Sequence, residues 1–211
     1  MNILIVGDSC KDIFIYGEIT RLSPEAPVPV LNPLKEISND GMAKNVVNNV
    51  EALGINVYSV TNRNSIRKIR YVDKKSNQLV LRVDEHDYCD RISEKEMGGI
   101  NNNVYKVLGN TVHIDAIIIS DYCKGFLTED DIQYICENNK NVFVDTKKEL
   151  GDWVNSAKYI KINSLEYENN KTFFKNNSIM DKTIVTKGNE GCLFQDKIYP
   201  TKDVQVKDIS G

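Results

Sequence analysis

Apolar residues in this chain come in short runs, and a polar residue closes nearly every one. Residues 2–6 form such a run, ended by Gly7-Asp8. The pattern predicts a buried first strand with a functional loop at its carboxyl end. Residues 13–16 and 28–31 are two further β-rich pieces. Between them lies Ser23-Pro24-Glu25-Ala26-Pro27-Val28-Pro29. Its prolines bar it from a central strand, so an edge, a turn or a lid is expected. Residues 43–53 place Val46, Val47, Val50 and Leu53 at helical spacing, with Gly54 as a stop. Residues 57–60 read as a strand. Residues 66–73 and 78–84 alternate in polarity and are joined by Lys74-Lys75-Ser76-Asn77, the pattern of a hairpin. Ser93 with Glu96 makes a capping box at the head of a helix predicted over residues 93–108.

The second half alternates strand and helix. Residues 116–120 are strongly apolar, residues 142–145, 159–162 and 183–186 read as further strands, and Thr128 caps a helix through Cys136. Residues 169–177, rich in Asn and Lys, read as a solvated helix end or loop. Alternating β and α units imply an α/β fold: a mainly parallel central sheet with helices on both faces. Such sheets bind ligands at the carboxyl ends of their strands. The polar residues found there are Asp8, Asp121, Asp145, Asn163 and Lys187.

Composition narrows the function classes. With 211 residues, 41% hydrophobic and 27% charged, the chain can bury a sizeable core. A net charge of −3 gives no general attraction to nucleic acid, so a phosphate site has to be a local feature. No apolar run approaches the roughly 20 residues that span a bilayer. The N-terminus lacks a signal-peptide pattern. A cytoplasmic protein with no membrane and no nucleic-acid partner is expected. The five cysteines are scattered and form no CxxC pair, which reads as free thiols in a reducing compartment. Two histidines make a zinc site improbable on these counts.

Gly7-Asp8-Ser9-Cys10-Lys11-Asp12, a strand followed by Gly-Asp and a second Asp, resembles the opening of the ribokinase (PfkB) family of carbohydrate kinases. Arg21-Leu22-Ser23-Pro24-Glu25-Ala26-Pro27-Val28-Pro29 is more particular. It resembles the lid segment of bacterial heptose 7-phosphate kinases within that family, the kinase part of the bifunctional enzyme of ADP-heptose synthesis. Lys68-Ile69-Arg70, Ser76-Asn77-Gln78 and Arg82-Val83-Asp84 resemble the second lid hairpin of the same subgroup. Ser120-Asp121-Tyr122-Cys123-Lys124-Gly125, Asp145-Thr146-Lys147 and Asn163-Ser164-Leu165-Glu166 match further landmarks in order. Val185-Thr186-Lys187-Gly188 and Gly191 resemble the nucleotide-side strand and turn. Nearly the whole chain is covered.

The resemblance implies a ribokinase-like domain over residues 1–211 with a small β lid, built from segments of about 13–37 and 66–84. It implies ATP and Mg²⁺ as cofactors, a sugar phosphate as substrate, and a homodimer joined through the lid strands. Asp8, Asp12, Arg21, Gly41, Asn45, Lys68, Arg70, Arg82, Asp121 and Lys124 would bind the sugar. Asp145, Lys147, Asn163, Glu166, Thr186, Lys187, Gly188 and Gly191 would bind the nucleotide, with Glu166 acting on Mg²⁺ through water.

Three departures accompany the likeness. The family's Gly-Gly pair before Ala-x-Asn is Gly41-Met42 here. A methionine can hold a right-handed backbone but lacks glycine's freedom at positive φ, so lid closure is expected to differ. A βα unit usual before the second hairpin is missing between Asn62 and Ile66. The family's Gly-Ala-Gly-Asp segment, carrying the catalytic Asp, would begin where the chain reads Asp208-Ile209-Ser210-Gly211. The chain is therefore expected to be truncated, and to bind sugar phosphate better than it turns it over.

From the residues alone, plainer roles stay open. Asp8 and Asp12 suit sugar hydroxyls, but one could cap a turn. Asn45 could cap its helix. Arg21, Lys68, Arg70 and Arg82 suit a phosphate, yet cations also guard sheet edges. Glu25 reads chiefly as part of a proline-stiffened loop. A catalytically inactive sugar-phosphate-binding or lid-dimer module, and a kinase for another sugar, are the rival readings.

Overall fold

The structure, a computed structural model, describes residues 1–202. The expected catalytic segment at 208–211 lies outside the described residues. In chain order, β1 (Asn2–Gly7) leads into two long strands, β2 (Ser9–Leu22) and β3 (Pro29–Met42), then α1 (Ala43–Glu51) and β4 (Asn56–Thr61). The hairpin β5 (Ile66–Asp73) and β6 (Gln78–Glu85) follows. After it come α2 (Glu94–Gly98) and three short strands, β7 (Ile100–Asn101), β8 (Val104–Val107) and β9 (Asn110–His113). The chain then alternates: β10 (Ala116–Asp121), α3 (Glu129–Asn138), β11 (Val142–Thr146), β12 (Tyr159–Asn163), α4 (Ser164–Asn169), α5 (Lys171–Asn176) and β13 (Thr183–Thr186). It finishes with the hairpin of β14 (Cys192–Phe194) and β15 (Lys197–Tyr199).

Among the described residues the main sheet runs β15-β14-β13-β12-β11-β10-β1-β4, parallel from β13 to β4. One face buries Leu4, Val6, Ile117, Ile119, Val144 and Ile162 against α3 and Trp153. The other face buries Ile3 and Ile5 under α1, through Val46, Val47 and Val50. Alternate residues of β1 thus feed opposite cores, as a strand buried on both faces requires.

A four-stranded sheet, β3-β2-β5-β6, stands on this base. Its strands are longer than the sequence pieces 13–16 and 28–31 suggest. β2 starts directly after Asp8, and its first residue is pinned by Asn62, whose Oδ1 accepts from Ser9 N at 2.6 Å and whose Nδ2 donates to Ser9 O at 3.1 Å. The proline segment sits in the bend joining β2 to β3. Only residues 62–65 separate β4 from β5, so the chain passes straight from the main sheet to the smaller one.

Two expectations are corrected here. The helix predicted over 93–108 exists only as α2. Its capping box is present, but Gly98-Gly99 ends it. Asn102 and Asn103, at φ 52° and 55°, then turn the chain into the small sheet β7-β8-β9. Met42 does not hold a right-handed backbone. It sits at φ 56° and ψ −131° as the N-cap of α1, a region that costs a residue with a Cβ roughly 1–3 kcal/mol.

Candidate functional site

The charged faces of the small sheet follow from strand alternation. Asp12 and Phe14 of β2, Lys68 and Arg70 of β5, and Arg82 and Asp84 of β6 lie at alternate positions in matched register. Ile13 and Ile69, at the positions between, are buried. The charged row closes over the base and encloses a cavity of about 650 Å³. Asp12, Gly41, Asn45, Lys68, Arg70, Arg82 and Lys124 all line it. So do Cys10, Asn39, Asp40, Asn48 and Tyr122, which sequence reasoning did not single out. Asn48 had a signal: it stands one helical turn from Asn45 on α1.

Each cation of the cavity carries a carboxylate partner. Arg70 Nη1 donates to Asp12 Oδ1 at 2.5 Å, and its guanidinium lies 5.1 Å from the centre of the Phe14 ring. Arg82 makes a forked pair with Asp84 at 2.8 and 2.9 Å. Lys68, almost fully buried, donates to Asp84 at 3.3 Å and to Asp87 at 3.0 Å. Lys124 donates to the other oxygen of Asp87 at 2.7 Å. The Arg82 fork holds the Asp84 carboxyl below the usual carboxylate range. Burial and the charge of Asp12 push the Cys10 thiol up to about 12, so it stays protonated at the cavity wall. Gly41 has no room for a side chain, since a Cβ there would stand 2.1 Å from Asp12 Oδ2.

Three of the residues expected to meet a sugar are not among those lining the cavity. Asp8 is fully buried beneath the loop after β10. Its carboxylate accepts from the backbone N–H of Tyr122 at 2.6 Å, Phe126 at 3.2 Å and Lys124 at 3.3 Å. Its oxygens thus hold the loop that carries Tyr122 and Lys124, two residues of the cavity lining. Burial, then the neighbouring Asp121, raises its pKa against those three donors. Asp121 is also buried, tied to Thr146 Oγ1 at 2.6 Å and Lys148 Nζ at 2.9 Å. Arg21 pairs with Val30 at the exposed far end of the β2–β3 hairpin, outside the cavity lining.

The residues expected to meet a nucleotide sit at the carboxyl ends of β11, β12 and β13. Asp145 accepts from Lys161 at 2.8 Å. Asn163 caps α4 through a reciprocal capping box with Glu166. Glu166 also pairs with Lys147. Lys147 lies 5.8 Å from the centre of the Tyr122 ring, so Tyr122 forms a wall shared by the cavity and the Lys147–Glu166 pair. Thr186 Oγ1 donates to Ile162 O at 3.3 Å. Lys187 and Gly188 begin a tight turn, with Lys187 N donating to Gly191 O at 2.8 Å. Gly191 has a local reason to be glycine: at φ 97°, a Cβ would stand 1.9 Å from Tyr199 O. Among the described residues no three acidic, His or Cys side chains gather into a metal cage. The Glu166 carboxylate, already engaged, fits a Mg²⁺ that arrives with phosphate and water oxygens of its own.

A comparison with protein-family models finds no match. The chain is 35% identical over 179 residues to the bifunctional protein HldE of Aliarcobacter butzleri (strain RM4018), covering 69% of this chain and 36% of that protein. It is 29% identical over 252 residues to the bifunctional protein HldE of Campylobacter jejuni, covering all of this chain and 53% of that protein. The chain thus spans about a third to a half of the curated relatives it matches. The second alignment is longer than the chain itself, so that relative carries segments that this chain lacks. Among solved structures, phosphofructokinase-2 from Escherichia coli in complex with fructose-6-phosphate matches with a TM-score of 0.59 at 11% identity, covering 99% of this chain and 81% of that one. Ribokinase from Thermotoga maritima matches with a TM-score of 0.55 at 14% identity, covering 98% and 79%. Those likenesses establish the fold. No described helix is long and apolar enough to cross a membrane.

Proposed function

We propose that this chain, which belongs to the ribokinase-like (PfkB) carbohydrate kinase family, binds a phosphorylated sugar beneath its small sheet and forms the sugar-binding part of an ATP-dependent kinase. The substrate of this reading is D-glycero-D-manno-heptose 7-phosphate, phosphorylated at its 1-hydroxyl on the way to ADP-heptose. One observation carries it: a single hollow holds a carboxylate and amides suited to hydroxyls (Asp12, Asn45, Asn48), and four cations suited to a phosphate (Lys68, Arg70, Arg82, Lys124).

Phosphoryl transfer relies on positioning and charge neutralisation more than on covalent help. In this reading Asp12 and Asn45 orient the sugar hydroxyls, and the cations of β5, β6 and the loop after β10 hold the phosphate. Lys147, Thr186, Lys187 and the turn at Gly188 lie toward the nucleotide, and Tyr122 separates the two compartments. Mg²⁺, when bound with ATP, supplies charge to the transferring phosphoryl group. Glu166 would act on it through water. The small sheet is read as the lid of a single ribokinase-like domain. Two copies would pair through its strands, which would cover their exposed edges. A cytoplasmic location completes the reading.

Calorimetric titration with heptose 7-phosphate, fructose 6-phosphate and ribose tests the substrate. Heptose 7-phosphate is expected to bind tightest. Tighter binding of fructose 6-phosphate would transfer the reading to another sugar. No heat from either phosphorylated sugar would end it.

A further inference from the structure

Asp87 was not singled out from the sequence, and its position is unusual. β6 ends at Glu85, and His86 at φ 51° turns the chain away from the lid sheet. The carboxylate that follows accepts from two lysines of different layers. Lys68 Nζ comes from β5 of the lid sheet at 3.0 Å, and Lys124 Nζ comes from the loop after β10 at 2.7 Å. Both lysines line the cavity, and Asp87 is outside the lining. The next residues are stitched to the loop that carries Lys124. Cys89 N donates to Lys124 O at 2.7 Å, and Ile92 N donates to Phe126 O at 2.9 Å. Asp87 therefore marks the seam between lid and base.

The four cations of the cavity are not equivalent. Arg70 is committed to Asp12 and the Phe14 ring. Arg82 has both arms on Asp84. Lys68 shares Asp84 and Asp87, and Lys124 has only Asp87 as a carboxylate partner among the described residues. Two ammonium groups gripped by the two oxygens of one carboxylate have a spacing that also suits two oxygens of a phosphoryl group. Without a carboxylate between them, like charges so close would move apart.

We propose that Lys68 and Lys124 form the subsite for the phosphate already present on the sugar, with Asp87 as the residue that holds this lid–base pair in register from behind the cavity wall. The inference rests on the sugar-phosphate reading of the cavity and adds the position of the phosphate and the part of Asp87.

The test uses calorimetric titration with D-glycero-D-manno-heptose 7-phosphate and with the same heptose lacking the phosphate, on the wild type and on Lys124→Ala, Asp87→Asn and Asp87→Glu. Wild type is expected to prefer the phosphorylated ligand. Lys124→Ala should reduce that preference roughly tenfold, the worth of a charge-assisted hydrogen bond, and leave the unphosphorylated heptose within about twofold. Asp87→Asn should weaken the phosphorylated ligand alone, roughly three- to tenfold, with Asp87→Glu recovering part of the loss. Equal weakening of both ligands by Asp87→Asn would show a structural brace and overturn the proposal. Tighter binding of the phosphorylated ligand would show a competing charge and overturn it too. An unchanged preference in Lys124→Ala would remove the subsite while leaving the cavity reading intact. Absence of wild-type binding to either ligand would end both readings.

Discussion

Asp8 and Asp12 stand near each other in the sequence, yet they make opposite predictions. Asp8→Ala removes the acceptor of three backbone N–H groups at a site with 0% exposure. Each orphaned donor costs roughly 1–3 kcal/mol, and the longer bonds to Lys124 and Phe126 belong at the low end. Relief of repulsion with Asp121 returns on the order of 1 kcal/mol. The net loss is about 3 kcal/mol, a large part of the 5–15 kcal/mol that holds a typical domain together. Asp12→Asn keeps an oxygen for Arg70, which also keeps its place over the Phe14 ring. It should cost about 1 kcal/mol or less in stability, and weaken sugar phosphate roughly tenfold or more. Urea unfolding without ligand reads the first effect as a midpoint lowered by about 1 M. Titration of the folded variants reads the second. The reasoning is refuted if Asp8→Ala unfolds with the wild type yet no longer binds, or if Asp12→Asn binds normally.

Three further outcomes follow from single sites. At Met42 the usual order of alanine over glycine should reverse: both lose the buried side chain, but only glycine relaxes φ 56°, so Met42→Gly should be about 1–2 kcal/mol more stable than Met42→Ala by thermal unfolding. Thiol labelling of the native chain at pH 8 should modify Cys123, which is exposed, well before Cys10, Cys89 and Cys136, which are buried and pushed up to about 12; rapid early labelling of Cys10 would contradict the closed cavity wall. Asp131 is buried, which raises its pKa, but its bonds from Arg91 and Thr128 outweigh burial and hold its carboxyl low. Its contribution is therefore fully present above the unfolded value of about 3.9 and lost as pH falls through the lower folded value; Asp131→Asn should cost about 1–2 kcal/mol at pH 7 and converge with wild type in urea titrations only once pH has fallen below that lower folded value.

The parallel strands were legible because strands covered on both faces are apolar at every position and end abruptly at a polar residue. The run at 116–120 carries that pattern; the run at 142–145 reads alike in sequence, although the Phe143 face of its strand is left exposed. The segment after Ser93 was not. Its capping box forms as the sequence indicates, and Ile100, Val104 and Leu108 repeat at a spacing that a helix would share. Gly98-Gly99 and the two asparagines at positive φ decide the matter, and each favours a turn by itself without excluding a helix that began well. The register of the small sheet was half legible. Alternation exposed Lys68, Arg70 and Arg82 as one face, but nothing local says which way a face points.

Asp8 and Asp87 mark where sequence reasoning stops, for the same physical reason. A carboxylate after a strand tip is equally ready to meet a sugar hydroxyl or a backbone amide, and the choice is made by groups distant in the chain. For Asp8 the donor at Tyr122 lies 114 positions away. For Asp87 one partner comes from the small sheet and the other from the loop after β10, and only folding brings them to one carboxylate. The functional reading does not depend on Asp8 touching the ligand, because it needs a polar cradle facing cations across one hollow. Asp12 supplies an acid from β2, Asn45 and Asn48 supply amides from α1, and the small sheet supplies the charge. The base contributes Lys124 to that charge, so the hollow is complete only while the two sheets stay joined at the seam where Asp87 sits.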